Sequence, residues 1–261
     1  MLDKVINKLK HLKAKHYIQH NEKEFSSGNH RIKYLFSPCQ GSSDLIVVFS
    51  AFPGSGKKAG YNMVSTFGKA KINKLYILDD FGYMNRGSYY LSENGDFYVR
   101  ELTIKLIERF SENMTRRTFL GSSKGGYAAL YFGLLLGADA ILAGAPQYYL
   151  GNYLTSKPEH IPILDAMAGN HDAETAELYN NLMKKLITAE ETDRSCSITI
   201  HYSKQEPTYE AHIKDMLKCL KENNYKVAED VAEYKNHGDV SGFFPALCLN
   251  IIKKTEGKKN D

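Results

Sequence analysis

Apolar positions in this chain fall into short continuous runs, separated by stretches in which apolar residues recur every three or four positions. This pattern is typical of strands that alternate with helices. The predicted strands lie at residues 31–36, 45–49, 75–78, 118–120, 138–143, 198–202 and 227–234. The predicted helices lie at residues 2–20, 61–69, 97–110, 126–132, 173–190, 209–222 and 240–252. Such alternation predicts the α/β class, with a mostly parallel sheet covered by helices on both faces.

Length and composition fit a single domain over residues 1–261. Of the 261 residues, 43% are hydrophobic, which is enough for one α/β core. Residues 1–30 form a predicted N-terminal helical extension, and we expect its apolar face to dock on the body of the same protein. A weak contact of this helix with an anionic membrane surface is the alternative.

Charge and cysteine content narrow the class of function. The net charge is only +4 and the lysines are scattered, so nucleic acid is not an expected partner. The four cysteines form no C-x-x-C pair, which is typical of reduced thiols. The sequence also lacks a signal-peptide core and an apolar run of membrane-spanning length, and we therefore expect a cytoplasmic protein. His16 and His20 lie one helical turn apart without the glutamate of a metalloprotease motif, and we expect neither a metal nor a cofactor.

The most informative motif is Gly121-Ser122-Ser123-Lys124-Gly125, which has the form G-x-S-x-G. The apolar run 118–120 precedes it and the small, apolar run 126–132 follows it. This order predicts a strand, a tight turn and a helix, the layout that exposes a serine hydroxyl on a strained elbow. Glycines flank the turn because the backbones of strand and helix pass too closely there for side chains. We therefore predict Ser123 as a nucleophile.

A serine nucleophile of this kind needs a general base, which in this fold follows the serine and the acid along the chain. Four histidines precede Ser123 and are out of order. Four later ones lie in an irregular stretch, an apolar run or a helical face: His160, His171, His201 and His212. His237 lies between the last predicted strand and the last predicted helix, where a loop side chain can reach the serine. His237 is therefore the predicted base.

The predicted acid is Glu206, the first carboxylate after the strand at 198–202. A carboxylate in that position can hold the imidazole in one tautomer and stabilise its charged form. Glu210 and Asp215 lie further along the following predicted helix and would point elsewhere. Asp239 is too close to His237 in sequence to orient the ring from behind.

Acyl transfer also needs two backbone N–H donors for the oxyanion. The first predicted donor is the amide of Lys124, directly after the nucleophile. The second would come from the loop after the buried strand 45–49, through the amide of Phe52 or Ala51. Pro53 is excluded because proline has no N–H.

Together these motifs resemble the serine-hydrolase-like domain of bacterial accessory Sec secretion proteins and related capsular-polysaccharide biosynthesis proteins. The resemblance is carried by five short segments: 121–126, 50–52, 87–90, Glu206-Pro207 and His237-Gly238. It implies an α/β-hydrolase-like fold in which Ser123 is the nucleophile, Glu206 the acid and His237 the base. It also implies a protein concerned with acyl groups on glycans, such as an O-acetyltransferase.

Two further segments are expected to form the substrate pocket. The loop 79–96 leaves the carboxyl end of the strand at 75–78, the edge where open α/β sheets bind ligands. Its polar and aromatic residues Ser88, Tyr89 and Tyr90 are predicted to bind substrate. Residues 147–190 follow a strand and precede the strand that carries the acid, where hydrolases of this fold often have a lid. Within this predicted lid insertion, we expect Tyr148, Tyr149 and Tyr153 to lie at the pocket mouth, with 147–170 irregular.

Two functional hypotheses follow. The first is a serine-nucleophile esterase or O-acyltransferase that acts on short acyl groups, acetyl above all, of a carbohydrate or other polar carrier. A small-molecule or glycan acyl ester is then the expected partner. Sequence does not separate hydrolysis from transfer, because the difference depends on how the closed pocket excludes water. The second hypothesis is a non-catalytic binding or scaffolding protein of a glycan or secretion system.

Overall fold

One sheet of eight strands spans the part of the computed structural model that is described, residues 2–54 and 56–257. The strands are β1 (Lys23–Ser27), β2 (His30–Ser37), β3 (Asp44–Phe49), β4 (Asn73–Leu78), β5 (Arg116–Ser122), β6 (Ala140–Gly144), β7 (Ser197–Tyr202) and β8 (Lys226–Val231). Their order across the sheet is β1-β2-β4-β3-β5-β6-β7-β8. The pairs β1–β2 and β2–β4 are antiparallel, and all other pairs are parallel. The predicted α/β class with a mostly parallel sheet is confirmed.

The first helix precedes β1, and the others connect strands or follow the last one. They are α1 (Leu2–Asn21), α2 (Tyr98–Ser111), α3 (Lys124–Leu135), α4 (Leu150–Thr155), α5 (Ile161–Ala168), α6 (Ala173–Thr188), α7 (Lys214–Glu222) and α8 (Val240–Gly257). A π-helical turn, Tyr209–Ile213, leads into α7, and short 3₁₀ turns lie at Tyr83–Asn85 and His237–Asp239.

The core lies around the centre of the sheet. Every residue of β3 and β4 is buried, which explains why these strands appear in the sequence as continuous apolar runs. Helix α3 packs along β3, β5 and β6 and is buried from Lys124 to Leu134. The elbow predicted from the sequence therefore lies at the centre of the sheet, between β5, which pairs with β3 and β6, and the buried helix α3.

The predicted helix at 61–69 is wrong, because this segment forms bends and turns. Met63 has a φ of 58°, in the left-handed region, and a helix cannot continue through that conformation. The neighbouring Asn62 uses its side-chain oxygen to accept a hydrogen bond from the Ala51 amide at 2.6 Å. The segment thus supports the loop after β3 instead of forming a helix.

Two other expectations also need correction. The stretch 147–170, predicted as irregular, contains α4 and α5. Both are short helices that become stable by burying a few apolar side chains: Leu150, Leu154, Ile163, Leu164 and Met167. The extension 1–30 contains β1 in addition to α1. β1 has the polar sequence KEFSS at the edge of the sheet, so it carries little apolar signal.

Helix α1 contacts β2, and its residues Tyr17 and Ile18 pack against the core. None of the helices among residues 2–54 and 56–257 combines the length and the apolar character that crossing a membrane requires.

Candidate active site

Ser123 sits on a sharp elbow between β5 and α3. Its backbone has φ 53° and ψ −122°, a conformation that is costly for a residue with a side chain and that occurs mainly at functional sites. A Cβ added at Gly121 would lie 2.3 Å from the Gly125 carbonyl oxygen, so only glycine fits where strand and helix cross. The Ser123 amide donates to the Gly144 carbonyl at 2.7 Å and ties the elbow to β6.

Ser123, His237 and Glu206 form a hydrogen-bonded chain at the carboxyl edge of the parallel strands. The Nε2 atom of His237 lies 2.7 Å from Ser123 Oγ, and its Nδ1 atom lies 2.5 Å from Glu206 Oε1. Glu206 follows β7, and His237 begins the 3₁₀ turn after β8. Because β5, β7 and β8 run in the same direction, their ends meet at one edge. The structure thus brings together the three residues that the sequence singled out.

Glu206 and Ser123 are almost completely buried, whereas His237 is partly exposed. Glu206 is 2% exposed and Ser123 is 7% exposed, whereas about a third of the His237 side chain faces solvent. With Glu206 ionised, Nδ1 of His237 is the atom that donates to the carboxylate, which leaves Nε2 as an acceptor for the Ser123 hydroxyl. The arrangement can therefore remove a proton from Ser123 and hold the resulting positive charge beside a carboxylate.

Two more histidines lie beside the triad. The Tyr149 amide donates to Nδ1 of His212 at 3.3 Å, and burial, together with His237, lowers the pKa of His212 to about 4. His212 is therefore neutral at pH 7. Burial also lowers the pKa of His160, whose ring stacks on Tyr153 at 4.7 Å between centroids. The rings of His212 and His160 are therefore both uncharged at pH 7, and both line the cleft that His237 also lines.

A cleft of about 660 Å³ opens beside Glu206 and His237. It is lined by residues of α4, the segment before α5, the turn after β7 and the loop after β8: Asn152, Tyr153, Ser156, Lys157, His160, Pro207, Thr208, Ala211, His212, Lys235 and Asn236. Lys157 and Lys235 make no ion pair with any other described residue. Most of the lining residues therefore have polar side chains, whose carbon atoms and rings also present apolar surface, and Lys157 and Lys235 add positive charge.

Arg86 adds a third positive charge near this cleft. Its guanidinium stacks on the Phe52 ring at 4.6 Å, and the Phe52 ring in turn contacts His160 edge-on. The buried Nε of Arg86 has no hydrogen-bond partner among the described residues. Arg86 is one of the polar residues of the loop 79–96 that the sequence predicted to suit a hydroxylated substrate, but no specific role was predicted for it.

The predicted oxyanion donors are only partly retained. Lys124 is the first residue of α3, and Phe52 follows β3 at the same edge of the sheet, so both amides remain candidates. The Ala51 amide donates to Asn62 Oδ1 at 2.6 Å and is therefore already in use. This corrects the alternative that Ala51 supplies the second donor.

The predicted substrate contacts of Ser88, Tyr89 and Tyr90 also need correction, because all three are completely buried. The amides of Ser88 and Tyr90 donate to the Asp79 carboxylate, and the Tyr90 hydroxyl donates to the Ile77 carbonyl at 2.9 Å. The loop after β4 folds back under the elbow, so these side chains support it from below. The polar residues of this loop suggested contact with a ligand. The hydrogen-bond partners of Ser88 and Tyr90 are instead groups of the protein itself.

Two of the three predicted lid tyrosines are placed differently as well. Tyr148 is 2% exposed, and the Tyr149 hydroxyl donates to Asp215 Oδ2 at 3.0 Å on the protein surface. Neither lines the cleft, which instead receives Tyr153 from α4. The sequence therefore predicted the correct segment, and of its three tyrosines only Tyr153 lies at the cleft.

The side chain of Lys124 forms a buried ion pair beneath the elbow. Its Nζ lies 2.8 Å from Asp79 Oδ2, and both side chains are inaccessible to solvent. Burial lowers the pKa of Lys124, and the Asp79 charge opposes this effect. Through Asp79, the pair links α3 to the loop after β4, so it is a structural element of the site.

We expect Asp79→Asn to lower the free energy of unfolding by about 3–5 kcal/mol, because it leaves the Lys124 charge buried without a counterion. Asp80→Asn is the matched control: Asp80 pairs with Lys33 at 2.8 Å near the surface, and its loss should cost at most about 1 kcal/mol. Urea denaturation measures both. Equal effects of the two substitutions would contradict a stabilising role of the buried pair.

Gln147 was missed by the sequence analysis. It is fully buried, and its Nε2 donates to Ser123 Oγ at 3.3 Å. A signal was available, because Gln147 comes soon after a predicted strand whose carboxyl end had to lie at the catalytic edge.

No protein-family model and no curated protein matches the chain. Among solved structures, a mutant capsule O-acetyltransferase of Neisseria meningitidis serogroup A in complex with CoA is 22% identical, with a TM-score of 0.72 over 88% of this chain and 94% of that one. The glycosylation-associated Gap123 complex of Streptococcus agalactiae is 21% identical, with a TM-score of 0.72 over 89% of this chain and 46% of that one. FphF, a fluorophosphonate-binding serine hydrolase of Staphylococcus aureus, is 12% identical, with a TM-score of 0.59 over 89% of this chain and 96% of that one. These likenesses confirm the predicted α/β-hydrolase-like fold.

Proposed function

We propose that this protein is a serine-nucleophile esterase or O-acyltransferase that acts on short acyl groups, acetyl above all, of a carbohydrate or other polar carrier. The observation that carries the proposal is the hydrogen-bonded chain from Ser123 through His237 to Glu206, with its nucleophile on a strained elbow. Such a chain matches the roles of nucleophile, base and orienting acid in acyl transfer.

In the proposed reaction, Ser123 Oγ attacks an ester or thioester carbonyl while Nε2 of His237 takes the hydroxyl proton. The amides of Lys124 and Phe52 hold the oxyanion of the tetrahedral intermediate. His237 then gives the proton to the leaving alcohol or thiol, and an acyl-enzyme remains. His237 next takes a proton from the acceptor hydroxyl, whose oxygen attacks the acyl carbon, and returns that proton to Ser123 Oγ as the bond between Oγ and the acyl carbon breaks. Glu206 stabilises the charged imidazole in both halves.

The character of the cleft supports a polar carrier. Its lining is polar and aromatic, and no aliphatic channel for a long acyl chain is found among the lining residues. The positive charges of Arg86, Lys157 and Lys235 around it suit a carrier or donor with negative charge. The likeness to a capsule O-acetyltransferase in complex with CoA makes an acetyl thioester a donor worth testing.

A non-catalytic scaffolding role is the second candidate. The likeness to the Gap123 complex favours it, since that structure is an assembly of proteins. The complete hydrogen-bonded triad speaks against it, because a scaffold gains nothing from a strained serine aimed at a histidine.

The test is a series of nitrophenyl esters with acyl chains of two to twelve carbons, followed by acetyl-CoA with and without glycan acceptors. We expect kcat/KM to be highest for acetyl and to fall as the chain lengthens, because no run of aliphatic side chains lines the cleft to receive longer chains. Acetyl transfer that exceeds hydrolysis when a glycan is present would assign a transferase. A rate that rises steadily to eight carbons or beyond would contradict the proposal of short acyl groups, and no turnover of any ester would favour the scaffold.

A further inference from the structure

Gln147 is held against the nucleophile by an unusual backbone turn. Ala145, just after β6, has a φ of 42°, and its amide donates to the His201 carbonyl at 2.8 Å. This left-handed conformation is rare for a residue with a Cβ, and strain of this kind is retained mainly at functional sites. The turn at Ala145 and Pro146 directs the chain back toward the elbow, and the Gln147 side chain is fully buried against Ser123.

The hydrogen-bonding capacity of Ser123 decides which end of the Gln147 amide faces it. A serine hydroxyl has one proton, and in the triad this proton is donated to Nε2 of His237 at 2.7 Å. A second neighbour of Oγ must therefore be a donor, and Gln147 Nε2 fills this position at 3.3 Å. Such bonds are often long before substrate binds and tighten during the reaction.

The other end of the amide has no evident structural purpose. Gln147 Oε1 is buried and has no hydrogen-bond partner among the described residues. A buried carbonyl without a partner destabilises the protein, so packing alone would favour an apolar side chain at this position. The contact of Nε2 with Ser123 Oγ accounts for a glutamine there.

We propose that Gln147 is a catalytic residue of the acyl-transfer reaction, an inference that rests on the function proposed above. Its N–H fixes the Ser123 hydroxyl in the rotamer that directs the proton at His237. When the O–H bond breaks and the proton moves to Nε2 of His237, the electron pair on Oγ forms the bond to the acyl carbon. Gln147 keeps its own proton and donates to Oγ while negative charge develops there, when a charge-assisted hydrogen bond is strongest.

The test measures the second-order rate of Ser123 labelling by a fluorophosphonate, which reports the nucleophile without knowledge of the natural substrate. We expect Gln147→Met, which keeps the length of the side chain but removes the donor, to slow labelling about 10- to 100-fold. Gln147→Glu, which keeps the shape but lacks the donor when ionised, should be slowed at least as much. For a nitrophenyl acetate substrate, kcat should fall with KM nearly unchanged.

Asn73→Leu is the matched control. Asn73 is another buried amide, but it lies at the start of β4, at the opposite end of the strands, and donates to the backbone carbonyls of Ser42 and Asp44. We expect this variant to unfold at a lower temperature and to label at the wild-type rate. Gln147→Met should show the reverse, with slow labelling and a nearly unchanged unfolding temperature.

The outcomes separate this inference from the function on which it rests. Wild-type labelling of Ser123 together with equally fast labelling of Gln147→Met would overturn the role of Gln147 and leave the nucleophile in place. A wild-type protein in which Ser123 is not labelled at all would overturn both.

Discussion

Replacing Ser123 with alanine is expected to abolish covalent labelling by a fluorophosphonate and to lower ester turnover by roughly 10⁴-fold or more. The substitution removes the atom that forms the acyl-enzyme, so the whole covalent route is lost and only binding and the oxyanion donors remain. The change deletes a single oxygen at a 7% exposed position, so the fold should persist. Intact-mass spectrometry of the labelled protein measures the adduct, and a nitrophenyl acetate assay measures turnover.

Ser122→Ala is the control for this prediction. Ser122 is the last residue of β5, one position before the elbow, and its hydroxyl makes no hydrogen bond to the triad. Its loss should leave both labelling and turnover close to wild type. An adduct that forms on Ser123→Ala would show that another residue is the nucleophile, and the proposed function would then be wrong.

Glu206→Gln is expected to lower kcat by about 10³- to 10⁴-fold while the protein stays folded. A neutral amide cannot stabilise the charged imidazole of His237, and its NH₂ group can face Nδ1 and favour the wrong tautomer. With Nδ1 as the acceptor, Nε2 carries the hydrogen and can no longer take the proton of Ser123. Steady-state kinetics on a short nitrophenyl ester measures the effect, and thermal unfolding checks the fold.

Asp239→Asn separates the role of Glu206 from a general effect of nearby charge. Asp239 lies two residues after His237, but its carboxylate accepts from the backbone and side chain of Asn236. It does not contact the imidazole, so its replacement should reduce kcat far less than Glu206→Gln does. If Asp239→Asn is the more damaging change, Glu206 is not the orienting acid.

The elbow could be predicted from the sequence because its determinants are local. Glycine at position 121 is required by the close crossing of β5 and α3, and glycine at position 125 by the close approach of the Phe49 carbonyl at the end of β3. A run of five residues contains both glycines and the serine. Glu206 and His237 were found by a topological rule instead. In a parallel sheet the residues that follow successive strands share one edge, so distance along the chain does not separate them.

The same rule failed where it was applied to side chains rather than to segments. The loop after β4 does lie at the catalytic edge, but Tyr89 and Tyr90 turn inward and pack beneath it. Whether a tyrosine faces a ligand or the core depends on backbone angles, and both residues have φ near 60°. In this conformation the Tyr90 amide donates to the Asp79 carboxylate at 3.1 Å. No pattern of neighbouring residues encodes that contact.

By itself, the sequence indicated most of the strands and helices, the elbow at Ser123, and the residues Glu206 and His237 that the fold brings to it. It could do so because apolar runs, glycine spacing and position after a strand are properties of short segments. Only the tertiary structure decided that α4 provides the cleft wall, that Lys124 pairs with Asp79 beneath the elbow, and that Gln147 contacts the nucleophile. These features join segments that lie far apart in the chain. The packing of those segments decides which partner a buried polar group meets, and local sequence does not specify it.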